Sequence, residues 1–177
     1  LGEAAGFGLL ERAGAAHAQT GPWLLGYGES SDAHHMSAPH PEGLGARLAM
    51  QAALDSAGLG PADIDYLNLH GTGTPANDAS EDRAVHALLG DVPVSSTKGM
   101  TGHTLGAAGA VEALLAVLAL EEGLIPGSPG TQDVDPGLAS RYQVTARPAR
   151  LARVMTNSFG FGGSNCSLVL GRLPEAA

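Results

Sequence analysis

The chain has 177 residues and a formal net charge of −9; 44% of its residues are apolar and 15% are charged. That is enough chain for one domain with a hydrophobic core, too apolar for a disordered segment and too acidic for a general nucleic-acid binder. A single cysteine, Cys166, excludes an internal disulfide and fits a reducing cytosol, so a cytoplasmic location is expected. No apolar run reaches the roughly 18–20 residues of a membrane span, because Glu121 and Glu122 end the longest one.

In chain order, LGEAAGFG has no methionine and no basic stretch ahead of an apolar one, so no signal peptide is expected. A start inside a strand-like stretch points to a piece of a longer protein. AAGFGLLER reads as a short strand or extended edge, and AGAAHAQTG as a helical turn or connector. PWLLGYGESS reads as a strand that runs into a loop rich in His and Pro, DAHHMSAPHPEG. Leu44, Leu48, Ala52 and Leu54 recur at helical spacing up to Gly58. IDYLNLH is a buried strand. Asp78 and Glu81 form a D-x-x-E capping box that opens a helix to Leu89, closed by Gly90. VPVSSTK is another strand. A helix runs from about Leu105 to Glu121, small near its start and apolar over most of its surface. After a Gly/Pro-rich connector, ARVMTNS and CSLVLGRL close the chain as two strands. The order β-α-β-α-β-α-β-β predicts an α/β fold with a mixed, mostly parallel sheet and helices on both faces. Ligands in such sheets sit beyond the carboxyl ends of strands, where His70, Lys98 and Asn157 fall.

Three segments carry candidate chemistry, and each also has a plain structural reading. In NLHGTGTP, glycines beside His70 let the backbone approach a ligand, and Thr72 and Thr74 can present hydroxyls; the same residues also make an ordinary turn. In STKGMTGHTLGAAGA, His103 stands at the predicted helix start, whose partial positive charge keeps an imidazole neutral, with Lys98 adding to the field. A neutral ring donates one N–H to a developing oxyanion; equally, the pair can be a solvated lysine and a capping histidine. NSFGFGGSN, with Asn157, Gly160, Phe161 and Gly162, fits an oxyanion hole, a gate or a tight turn, and is not a phosphate loop because no G-K-[ST] follows. His34, His35 and His40 near Asp32 match no common zinc spacing, so no metal is expected. Cys166 lies among apolar residues of a predicted strand, where thiols are inert. The arginines between Arg141 and Arg153 read as a solvated face or, less simply, a docking patch.

Together, HGTGTPAND, SSTKGMTGHTLGAAGAVEALL and NSFGFGGSN, in this order and at these distances, resemble the C-terminal half of β-ketoacyl-acyl carrier protein synthases. GEAAGFGLLE resembles the end of the family's N-terminal half. The resemblance implies a thiolase fold, with residues 1–21 as the tail of the first half, 22–172 as the second half and 173–177 as a terminal tail. It implies decarboxylative Claisen condensation in fatty acid or polyketide synthesis. His70 and His103 would donate to the malonyl thioester oxygen, with Lys98 electrostatic in role and Glu112 and Asn157 supporting. Phe161, between Gly160 and Gly162, would be the gate and supply an acyl oxyanion donor. Thr72, Thr74 and Ser37 would contact the phosphopantetheine of acyl carrier protein, with no other cofactor. The implied partners are the carrier protein, the missing N-terminal half and a second subunit in a homodimer. The nucleophilic cysteine belongs to that missing half, and Cys166 is no substitute, so the isolated chain is expected to be inactive and to expose an apolar face. The alternative is a non-catalytic partner such as a chain-length factor or a docking subunit. A thiolase or chalcone-synthase relative fits less well, since neither pairs two histidines in this way.

Overall fold

A computed structural model describes residues 1–14 and 21–172. The expected connector through residues 15–20 and the tail from 173 lie outside the described residues. Strand β1 (Trp23–Ser31) leads into helix α1 (Leu44–Ala57), which ends at Gly58 in the left-handed region, φ 66°. Then follow β2 (Tyr66–Asn68), α2 (Pro75–Leu89), β3 (Pro93–Ser95), the single turn α3 (Lys98–Thr101) and α4 (Ala108–Glu122). Three short strands, β4 (Leu124–Ile125), β5 (Arg141–Tyr142) and β6 (Arg147–Pro148), precede the hairpin of β7 (Arg153–Gly160) and β8 (Ser164–Gly171).

The main sheet runs β1-β8-β7-β2-β3-β5; the β7-β2-β3-β5 pairs are parallel and the β1-β8-β7 pairs antiparallel. The predicted order of major elements and the mixed sheet are therefore present. Period-two alternation splits the core in two. Leu67, Met155 and Val169 face α1 and α2, while Tyr66, Val154 and Leu170 face α4. Helices thus cover both faces. α1 lies directly on β1 because Gly26 and Gly28 carry no Cβ; a methyl at either would overlap the backbone of Ala53 or Ala49.

Four expectations change. Residues 1–12 form no strand; they run past the start of α4 with Phe7, Leu9 and Leu10 exposed. The connector is not all loop, because β4 lies within it and pairs with β6, and beyond it β5 extends the main sheet. It is held by buried Asp82, which accepts the Ala139 and Ser140 N–H groups, each at 2.9 Å. The strand at IDYLNLH spans only Tyr66–Asn68. Finally, α2 begins at Pro75, preset for a first helical position, so Asp78 and Glu81 are not its capping box. No helix among the described residues is long and apolar enough to cross a membrane.

Candidate active site

Because β2, β3 and β7 run parallel, their carboxyl ends lie along one edge of the sheet. His70 follows β2, Lys98 follows β3, and Phe159 and Gly160 end β7. The loop before α4 brings His103 to the same edge. The His70 and His103 rings meet edge to face, centroids 5.3 Å apart and planes at 83°. Phe159 closes against His70 at 5.6 Å.

His70 is 5% exposed and held from behind. Its backbone N–H and that of Gly71 both donate to the Glu81 carboxylate at 2.9 Å. Glu81 also accepts from the Asn157 side-chain amide at 3.1 Å, and Asn157 in turn accepts the Ser167 hydroxyl at 2.7 Å. Burial raises the Glu81 carboxyl above its usual range, opposed by the Gly71, Asn157 and His70 donors. On the other side, the buried Lys98 ammonium touches the Glu112 carboxylate, the His70 carbonyl and, at 3.4 Å, His70 Nδ1. Burial pushes Glu112 up to about 7, against the pull of Lys98. Ser158 donates to the same carboxylate at 3.4 Å.

These contacts fix the ring chemistry. An ammonium only donates, so His70 Nδ1 is an acceptor and its proton sits on Nε2. The Leu105 N–H donates to His103 Nδ1 at 3.2 Å, which assigns the same tautomer there. Burial, then Lys98, then His103 lower the His70 pKa to about 3. Burial and Lys98 also lower that of His103. Two neutral imidazoles with free Nε2–H donors therefore adjoin one space. His103 does not stand at the start of α4, contrary to expectation. Leu105 turns left-handed, φ 53°, and a 3-10 turn through Leu105–Ala107 intervenes, so burial and Lys98 replace the helix dipole as the cause.

A cavity of about 450 Å³ opens on both rings. Ser37, Thr72 and Thr74 line it, the two threonine hydroxyls 2.8 Å apart, as do Gly160, Phe161 and Gly162 at the tip of the β7–β8 hairpin. The Phe161 side chain is 83% exposed. The hairpin tip is tied to the His-rich loop: the Gly162 N–H donates to the Met36 carbonyl at 2.9 Å, and Asn165 donates to Asp32 at 2.8 Å. His34 and His40 approach to 5.0 Å, but no cluster of three potential metal ligands occurs among the described residues. Cys166 lies in β8 opposite Glu29, half-buried, its thiol pushed up by burial and by Glu29. Every residue expected in the site lies either on the cavity or directly behind it.

Two residues of this constellation escaped the sequence reading. Glu81 shares a helical face with Ala84 and Val85, both buried, and that inward face was its signal. Phe159 stands two residues before Phe161 in the same motif, and it lies within β7 while Phe161 is in the turn that follows.

Residues 23–132 match the family described as Beta-ketoacyl synthase, C-terminal domain. The chain is 47% identical over 154 residues to the mitochondrial 3-oxoacyl-[acyl-carrier-protein] synthase of Arabidopsis thaliana, covering 82% of this chain and 33% of that protein. It is 43% identical over 184 residues to 3-oxoacyl-[acyl-carrier-protein] synthase 2 of Vibrio harveyi, covering 99% of this chain and 44% of the relative. Among solved structures, a ketosynthase in complex with its chain length factor from Xenorhabdus doucetiae superposes with a TM-score of 0.83 at 50% identity, over 87% of this chain and 40% of that one. The chain thus spans less than half the length of these relatives. With its thiolase-like α/β architecture, it belongs to the β-ketoacyl synthase family and corresponds to that family's C-terminal domain.

Proposed function

We propose that, joined to an N-terminal half, this domain carries the decarboxylating side of a Claisen condensation. One observation carries the reading: both ring Nδ1 atoms are occupied, so both Nε2–H groups are left as donors beside one cavity. When the bond between the malonyl α-carbon and its carboxylate breaks, carbon dioxide leaves. The electron pair moves into the thioester carbonyl, whose oxygen becomes anionic. Two fixed donors stabilise that charge more than they stabilise the neutral ground state, which lowers the barrier. The enolate carbon then attacks an acyl thioester on a cysteine of the N-terminal half, and the thiolate leaves.

Neutrality matters as much as position. An imidazolium at either site would hold the substrate carboxylate and oppose its loss. Burial keeps both rings neutral, Lys98 adds a positive field to the same effect, and Glu112 balances the buried charge of Lys98. Ser37, Thr72 and Thr74 line the cavity, which supports their hydroxyls as hydrogen-bond partners for a phosphopantetheine arm. Phe161 is the gate we infer, at the exposed tip of the hairpin. The partners that follow are an acyl carrier protein, the N-terminal half and a second subunit, in a reducing, cytoplasmic setting.

The test is decarboxylation of malonyl-carrier protein by the joined protein. His103→Ala should lower the rate by about two to three powers of ten, the usual loss for one oxyanion donor. Turnover like that of the parent would refute the role. If the parent itself fails to decarboxylate, the non-catalytic partner reading takes its place.

A further inference from the structure

We infer that Gly2 is a positioning residue for His103: the segment through residues 1–6 is a strap that sets the His103 loop through its backbone. The importance of this for catalysis rests on the function proposed above; the structural claim does not.

The loop carrying His103 is held from within by short-range bonds, such as Gly102 N–H to the Lys98 carbonyl and the Thr101 hydroxyl to the Gly102 carbonyl, each at 2.9 Å, and none of these takes the His103 carbonyl. It lies between the one-turn α3 and the 3-10 turn before α4, flanked by Gly102 at φ 69° and Leu105 at φ 53°. The strap supplies the missing constraint. The Gly2 N–H donates to the His103 carbonyl at 2.9 Å. The two backbones cross at a pair of glycines. A methyl at Gly2 would overlap the Thr101 carbonyl oxygen. A Cβ on Gly102 would lie 2.8 Å from the Gly2 nitrogen and 2.9 Å from its Cα. Real Cβ atoms do not come that close, so only two glycines allow this crossing. Further along, a Cβ on Gly6 would lie 2.9 Å from that of Ala110, so the strap lies against the first turn of α4 as well.

His103 is therefore fixed at its carbonyl by Gly2, at Nδ1 by Leu105 and at its ring by His70. Removing the first lets the loop turn. The Leu105 bond that selects the Nε2–H tautomer depends on the same loop geometry. No residue of the strap belongs to either hydrophobic core, so its contribution is to this loop and not to the fold.

The experiment is a long-range ¹H–¹⁵N NMR spectrum of the histidine rings in the whole chain, compared with Gly2→Ala, Gly6→Ala and Gly8→Ala. The native chain should show His103 protonated at Nε2 alone. Gly2→Ala should give a mixture of tautomers at His103 with His70 unchanged. Gly6→Ala, whose one close contact is the Ala110 methyl, should give a smaller change of the same kind. Gly8→Ala, with no atom near the added methyl, should give none. Unchanged His103 signals in folded Gly2→Ala would overturn the inference. If that variant does not fold, unchanged signals in Gly6→Ala would do so. In the joined protein, Gly2→Ala should lower decarboxylation about tenfold and leave acylation of the N-terminal cysteine unaltered. A parent that shows the tautomer change on substitution but no decarboxylation would sink the functional reading and leave the strap standing.

Discussion

The two histidines reach the same chemical state by opposite means. His70 is held by charged side chains in the core: Glu81 grips its backbone, and Lys98, balanced by Glu112, occupies its inner nitrogen. His103 is held by backbone groups at the surface: Leu105 takes its inner nitrogen and Gly2 its carbonyl. The first mount is costly, since it buries three ionisable groups, but it is rigid. The second puts no ionisable side chain on the ring's inner nitrogen, but it depends on loop geometry. The difference teaches that the ring at the strand end is a stability problem, while the ring in the loop is a conformational one.

Substitutions should separate the two mounts, and the largest effect belongs to the core. Lys98→Met strands the Glu112 carboxylate and frees His70 Nδ1. A loss of about 3–5 kcal/mol is expected in urea unfolding, as for a broken buried pair. Pairing it with Glu112→Leu should recover most of that stability and none of the activity. Glu81→Ala comes next. It leaves the His70 and Gly71 N–H groups without their acceptor, at about 1–3 kcal/mol each. Chemical shifts should move at His70 and stay in place at His103.

Acid should also act on the core mount. His70 titrates near 3 when folded and near 6.5 when unfolded, so the unfolded chain takes up the proton first. Its contribution to stability is therefore whole above about 6.5 and is lost as pH falls toward 3, at up to about 1.4 kcal/mol per pH unit. His70→Asn should flatten that limb of a stability-against-pH curve. A curve parallel to the parent's would show that other groups set it.

The smallest effect lies away from both rings. Leu114 and Leu118 stand one turn apart on the exposed side of α4, and Phe7 and Leu10 are also exposed. Leu118→Lys should reduce self-association of the isolated chain in sedimentation while leaving ring tautomers unchanged.

The sequence made the sheet order legible because its signals are local. Alternating apolar strands, a glycine after α1 and small-residue helix faces all act within a few residues. The motifs also brought His70, Lys98, His103, Phe161 and the threonines to one cavity, because each follows a strand or sits in a tight turn. Contacts distant in sequence were hidden. The D-x-x-E spacing at Asp78 and Glu81 has a local explanation, and nothing local reveals that Glu81 instead reaches back to His70. The positive field at His103 was expected from a helix start; the left-handed Leu105 displaces that start, and the field comes from Lys98. The strap was invisible because a glycine's role there is defined only by the backbone that crosses it.

The position of the bound thioester oxygen tests the shared oxyanion site directly. A crystal structure of the domain joined to its N-terminal half, soaked with a malonyl thioester analogue that cannot lose carbon dioxide, would locate it. The carbonyl oxygen should sit about 2.7–3.1 Å from Nε2 of both His70 and His103. An oxygen bound to only one ring, or a ring presenting a bare nitrogen to it, would contradict the claim that two neutral donors share the charge.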